Sequence, residues 1–95
     1  MPPPNAFPAA LQAIRKARGL SQEAFSDVSS RTYLSSLERG LKSPTLSKLV
    51  ALCEVMEVHP LTLLTLAYGR DTKGTQDALA RVQRELANLP SLKGK

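Results

Sequence analysis

A chain of 95 residues with a formal charge of +5 is one domain, able to remove only roughly 60–70% of its unfolded surface from water, which leaves little room for a large active-site cleft. Its residues are 42% hydrophobic but only 4% aromatic, with no Trp, so the core must be built from Leu, Ala, Val and Ile, a mixture that favours helices over strands. The single cysteine, Cys53, excludes an internal disulfide and a cysteine-based zinc site, and it points to a reducing compartment.

In chain order, Met1 to Asn5 has neither the basic residues nor the apolar run of a secretory signal, and residues 1–6 are expected to be a disordered, Pro-rich lead. Leu11, Ile14, Ala17 and Arg18 recur at helical spacing after Pro8, and Gly19 offers a stop, which predicts a first helix over about 7–18. Ser21 is a good N-cap for a second helix from Gln22 to about Val28, with Phe25 and Val28 on its inner face. Ala24 stands where a capping box would need Glu or Gln. Ser29 or Ser30 caps a third helix with Leu34 and Leu37 inward, and Gly40 fits the left-handed position that ends many helices.

After a loop from Leu41 to Pro44, Thr45 caps a mostly buried fourth helix carrying Leu46, Leu49, Val50, Leu52, Cys53 and Met56. Val58-His59-Pro60 breaks it, and Pro60 suits the first residue of a fifth helix running through Tyr68. From Gly69 to Gly74 the chain turns polar, Gly-Arg-Asp-Thr-Lys-Gly, and reads as a linker or tight loop outside a packed unit over 7–68. Beyond it, Thr75 caps a segment over 75–89 in which Leu79, Val82, Leu86 and Leu89 form the seam of a helix that pairs with another. Residues 90–95 read as a frayed tail. The most apolar run, Leu61 to Ala67, is far below the ~20 residues of a membrane helix, so no membrane attachment and a cytoplasmic location are expected.

The charge is unevenly placed. Residues 1–48 hold Arg15, Lys16, Arg18, Arg31, Arg39, Lys42 and Lys48 against Glu23, Asp27 and Glu38, whereas the remainder holds six bases against five acids. A basic excess of this kind favours polyanions, and it sits in the first half. There, two short helices joined by a tight turn, the second with a polar outer face, describe a helix-turn-helix.

The wording is more specific than the architecture: Arg15, then Gly19-Leu20-Ser21-Gln22-Glu23, then Tyr33-Leu34-Ser35-Ser36-Leu37-Glu38-Arg39-Gly40, then Ser43-Pro44-Thr45-Leu46. Over roughly 9–68 the chain closely resembles the Xre/Cro/CI (lambda-repressor-like) family of bacterial and phage transcriptional regulators. The resemblance implies an all-α, five-helix DNA-binding domain, here with a C-terminal amphipathic helix, whose third helix lies in the major groove of double-stranded DNA. It implies base contacts from Arg31, Thr32 and Ser36, a phosphate held by Gln22 at the start of the second helix, and backbone contacts from Tyr33, Arg39 and Lys42. It also implies an ion pair between Arg15 and Glu38 that locks the first helix to the third.

The residues support this independently. At about 100° per residue, placing Leu34 and Leu37 inward turns Thr32, Ser35, Ser36 and Arg39 outward, with Arg31 projecting from the first turn. Ser30 and Ser35 add hydroxyls suited to phosphate. Arg31 is the long forked donor of the helix's first turn and could grip a guanine edge, worth ~1–3 kcal/mol of discrimination. Two departures stand out. Between Gln22 and Glu38 the chain is two residues shorter than most members, equivalent to about 200° of helical rotation, so the turn Asp27-Val28-Ser29-Ser30 is expected to absorb the loss. Glu57 stands where the family often has Gly.

Plainer readings compete at each position. Arg39 and Lys42 could be solvated charges. Cys53, among Leu49, Leu52 and Met56, reads as a core residue rather than a redox switch. His59, with no second histidine, reads as a cap or loop residue rather than a metal ligand, and no metal or cofactor is expected. The many serines lack an oriented base, so they read as caps and DNA-facing hydroxyls and not as nucleophiles, and no enzyme activity is expected. The seam of Leu79, Val82, Leu86 and Leu89 either packs on its own domain or joins a second subunit.

Together these point to a homodimeric repressor of a bacterium or mobile element, associated with the nucleoid through a near-palindromic operator and needing no small-molecule ligand. Two rivals remain: an antitoxin that represses its own operon while binding a toxin or another regulatory protein, and an interaction adaptor that kept the fold but lost DNA binding.

Overall fold

The computed structural model describes residues 6–89. The ends expected to be disordered or frayed, 1–5 and 90–95, lie outside the described residues. Within them the chain forms five α-helices and one 3₁₀ turn, with no strand.

Helix α1 (Phe7–Ala17) starts with Pro8 in its first turn, where a missing N–H costs nothing. It buries Phe7, Ala10, Leu11 and Arg15, while Ala17, expected on the inner face, is exposed. A Schellman turn ends it: the Gly19 N–H donates to the Lys16 carbonyl at 2.9 Å and the Leu20 N–H to the Arg15 carbonyl at 3.1 Å, with Gly19 at φ 71°.

The expected second helix does not form. Gln22–Phe25 is a 3₁₀ turn of four residues, and Ser21 accepts no side-chain capping bond. Ala24, Ser26 and Val28 each donate to the carbonyl three residues earlier. A 3₁₀ turn rises about 2.0 Å per residue against about 1.5 Å for an α-helix, so it crosses the same gap with fewer residues. Phe25 stays fully buried, so the shorter element still turns its apolar residue inward.

Helix α2 (Arg31–Glu38) is the expected third helix, and α3 (Leu46–Met56) the fourth. Thr45 Oγ1 accepts from the Lys48 N–H at 3.1 Å, as a cap should. The buried face of α3 is Leu49, Leu52, Cys53 and Met56, whereas Leu46 and Val50, expected in the core, are exposed at 74% and 38%. Glu57 ends α3 at φ 59°, a left-handed backbone on a residue with a Cβ, and the Val58 N–H donates to the Cys53 carbonyl at 3.1 Å. The turn is tied to α1 by Arg18 Nη2, which donates to the Glu57 carbonyl at 3.3 Å.

Helix α4 (Pro60–Gly69) begins at Pro60, with the His59 Nδ1 accepting from the Leu61 N–H at 3.0 Å. Among the described residues no single helix is long and apolar enough to cross a membrane. The stretch 69–74 is a corner, not an extended linker. Asp71 caps α5 (Thr72–Ala87) by accepting from the Gly74 N–H at 2.7 Å, so the last helix starts three residues before the expected Thr75. A Cβ on Gly69 would lie 2.5 Å from the Thr75 backbone, and one on Gly74 would lie 2.0 Å from the Gly69 carbonyl oxygen. The two glycines are there because the backbones touch.

Phe25, Leu11, Leu34, Leu37, Leu52, Met56 and Leu63 form the centre of the core, drawn from α1 to α4 and the 3₁₀ turn. Helix α5 packs on α4 but buries no residue, and every residue from Leu79 to Leu89 is exposed. It extends a molecule measuring 42 × 28 × 23 Å.

Candidate nucleic-acid interface

Helix α2 is two turns long and is defined at both ends. At its start, Ser30 Oγ accepts from the Tyr33 N–H at 3.0 Å, which leaves the hydroxyl hydrogen free to donate outward. Ser29, the other candidate cap, is buried, and its hydroxyl donates to the Ser30 carbonyl at 3.1 Å. At its end, the Gly40 N–H donates to Leu37 and the Leu41 N–H to Ser36, a Schellman turn with Gly40 at φ 76°. Leu34 and Leu37 are fully buried beneath.

The outer face carries Arg31, Thr32 and Arg39, all exposed, with Ser35 and Tyr33 half-buried at its margins. Ser36 is the exception. It is 8% exposed, whereas Arg31 and Thr32, the other two residues expected at base edges, are exposed. At about 100° per residue Ser35 and Ser36 flank the Leu34–Leu37 face on opposite sides, and it is the Ser36 flank that lies against the body of the fold. Ser35 is the hydroxyl that this face does present.

Below the face lies a buried network. Arg15 Nε donates to Glu38 Oε2 at 2.6 Å and Nη2 to Oε1 at 3.0 Å, a two-pronged pair whose side chains are 10% and 3% exposed. Arg15 Nη1 donates to the Leu20 carbonyl at 2.9 Å, so one guanidinium ties α1, the loop after it and α2 together. Its pKa is raised by the hydrogen bond to Glu38, against burial, with the charge of Glu38 adding to the rise. Gln22 Nε2 also donates to Glu38 Oε1, at 3.2 Å. Its side chain thus lies on the ion pair, and Gln22 opens a four-residue 3₁₀ turn and not the α-helix whose end is expected to hold a phosphate.

The electrostatic result is one-sided. The single acid of α2 is neutralised inward, while Arg31, Arg39 and Lys42 face solvent. The Tyr33 ring has two ammonium groups beside it, Lys42 at 5.7 Å and Lys48 at 5.5 Å from its centroid. Lys48 also donates to the Val28 carbonyl. Its place beside α2 is not legible from sequence, since nothing in the spacing of α3 ties its one lysine to the segment before α2. Leu79, Val82, Leu86 and Leu89 stand apart on α5, at 45%, 48%, 50% and 47% exposure. Among the described residues no group of His, Cys, Asp or Glu is arranged to hold a metal ion.

Comparison with known families gives one match, a family model described as helix-turn-helix that covers residues 11–63, more than half of the chain. No curated protein and no solved structure matches the chain.

Proposed function

Because the chain belongs to the Xre/Cro/CI-like helix-turn-helix family of DNA-binding transcriptional regulators, we propose that it is a repressor that binds a near-palindromic operator as a homodimer. Helix α2 enters the major groove, with Arg31 and Thr32 meeting base edges and Ser30, Tyr33, Ser35, Arg39 and Lys42 on the phosphates beside it. The observation that carries the reading is the outer face of α2, where exposed cations and hydroxyls stand over a carboxylate already paired inward. An unpaired acid there would repel the phosphates, and here there is none on the helix.

A single helix-turn-helix spans only a few base pairs, so two copies are needed, their recognition helices about 34 Å apart. Helix α5 is the self-association surface. A helix of 16 residues with no buried side chain has little reason to be ordered in water by itself, and its four exposed apolar residues form one seam. Occlusion of a promoter by the bound dimer is the simplest route to repression.

Selection of bound sequences from a random duplex pool tests the reading. Recovery of a two-fold symmetric motif, bound with an affinity that falls steeply with salt, is the expected result. Recovery of no motif, together with no duplex binding at low salt, favours the adaptor. A motif bound by a chain that stays monomeric until it meets a second protein on α5 favours the antitoxin.

A further inference from the structure

The ion pair that anchors helix α2 lies at one end of it. Its C-terminal end is bolted to α1 through Arg15 and Glu38, whereas its N-terminal end, where Arg31 and Thr32 stand, follows directly on the segment 26–30. That segment is the shortened one. Its Val28 carbonyl accepts from no backbone N–H among the described residues; its partner is the Lys48 ammonium.

Lys48 lies in the first turn of α3, half-buried, with its own backbone fixed by the bond to Thr45 Oγ1. The same ammonium sits beside the ring of Tyr33, the third residue of α2. One cation thus links α3 to the turn and to the recognition helix at the point where the chain has least covalent slack. We propose that Lys48 is a positioning residue that fixes the N-terminal end of α2, and through it the aim of Arg31 and Thr32, in place of the longer turn the chain lacks. With one N–H on the Val28 carbonyl and the ammonium beside the Tyr33 ring, it acts on the helix and not as a phosphate contact.

The proposal rests on α2 being the DNA reader, so the test has one arm that needs no DNA. Lys48→Met keeps the aliphatic stem and removes the charge, and Lys48→Arg restores a cation. In the free protein, Lys48→Met should speed amide exchange of Tyr33 and Leu34 by about tenfold while leaving core amides such as Leu52 unchanged. On the selected operator it should reduce discrimination at the base facing Arg31 by about tenfold, leave the salt slope unchanged, and be largely reversed by Lys48→Arg.

Unchanged exchange at Tyr33 and Leu34 would overturn the proposal, whatever the DNA arm gives. So would a salt slope shallower by about 0.9 with discrimination intact, the mark of a lost phosphate contact. Failure of the wild-type protein to bind any duplex would instead remove the function proposed above, and the exchange arm would still decide the role of Lys48.

Discussion

Removing the carboxylate of Glu38 should be the most damaging single change on α2. Its side chain is 3% exposed and that of Arg15 10%, and the two meet through a pair of bonds at 2.6 and 3.0 Å. Glu38→Ala leaves the guanidinium with only the Leu20 carbonyl and strands Gln22 as well. Breaking a pair this buried costs about 3–5 kcal/mol, roughly a fifth or more of the stability of a small domain. At about 4–8 °C per kcal/mol, the melting temperature should fall by at least about 12 °C.

Urea unfolding followed by circular dichroism measures the loss as a shift of midpoint at constant slope. The exposed pair Arg81–Glu85 on α5, with side chains 73% and 61% exposed, is the internal control, and Glu85→Ala should cost less than about 0.5 kcal/mol. Adding Arg15→Met to Glu38→Ala should recover much of the loss, because no charge is then left buried. A loss below about 1 kcal/mol for Glu38→Ala, or a double variant worse than the single, would refute the reasoning.

Glu57→Gly should stabilise the protein. A left-handed non-glycine residue costs about 1–2 kcal/mol and the glycine loses roughly half of that to unfolded-state entropy, so the melting temperature should rise by about 2–8 °C in a thermal scan. Gly74→Ala drives a Cβ into the Gly69 carbonyl and should undock α5, lowering the helical circular dichroism by roughly a quarter while α1 to α4 keep their cooperative melt. An unchanged spectrum would show that the corner can open without consequence. Burial pushes the Cys53 thiol up, so the folded state holds that proton more tightly than the unfolded chain. The stability this contributes is full below the thiol's unfolded pKa and is lost as pH rises through the folded one. Urea midpoints should therefore decline in the alkaline range, and the decline should be smaller in Cys53→Ala.

The parts of the fold that were legible in the sequence are those set by local chemistry. Ser30 and Thr45 cap because their oxygens can reach a free N–H, Gly19 and Gly40 end helices because they tolerate positive φ, and Pro60 starts α4 because it needs no donor there. Leu34 and Leu37 face inward as their spacing demands. What was hidden depends on distances across the fold. A polar Gly-to-Gly stretch reads the same whether it is a loose linker or a corner where two backbones touch, and Gly69 and Gly74 turn out to be needed for space. That Gln22 opens a 3₁₀ turn and not an α-helix is recorded by no propensity, since Ser21 is a good cap by residue type and yet makes no capping bond. Ser36 shows that direction on a helical wheel does not guarantee access, and Gln22 that a side chain free in the sequence can be spent on a buried pair.

That the outer face of α2 meets duplex DNA is tested most directly by following backbone amide resonances as the isotopically labelled protein is titrated with its selected operator. The largest changes should fall at Arg31, Thr32, Ser35, Arg39 and Lys42, with Leu79 to Leu89 little affected by DNA. Changes confined to α5, with α2 silent at saturation, would contradict it.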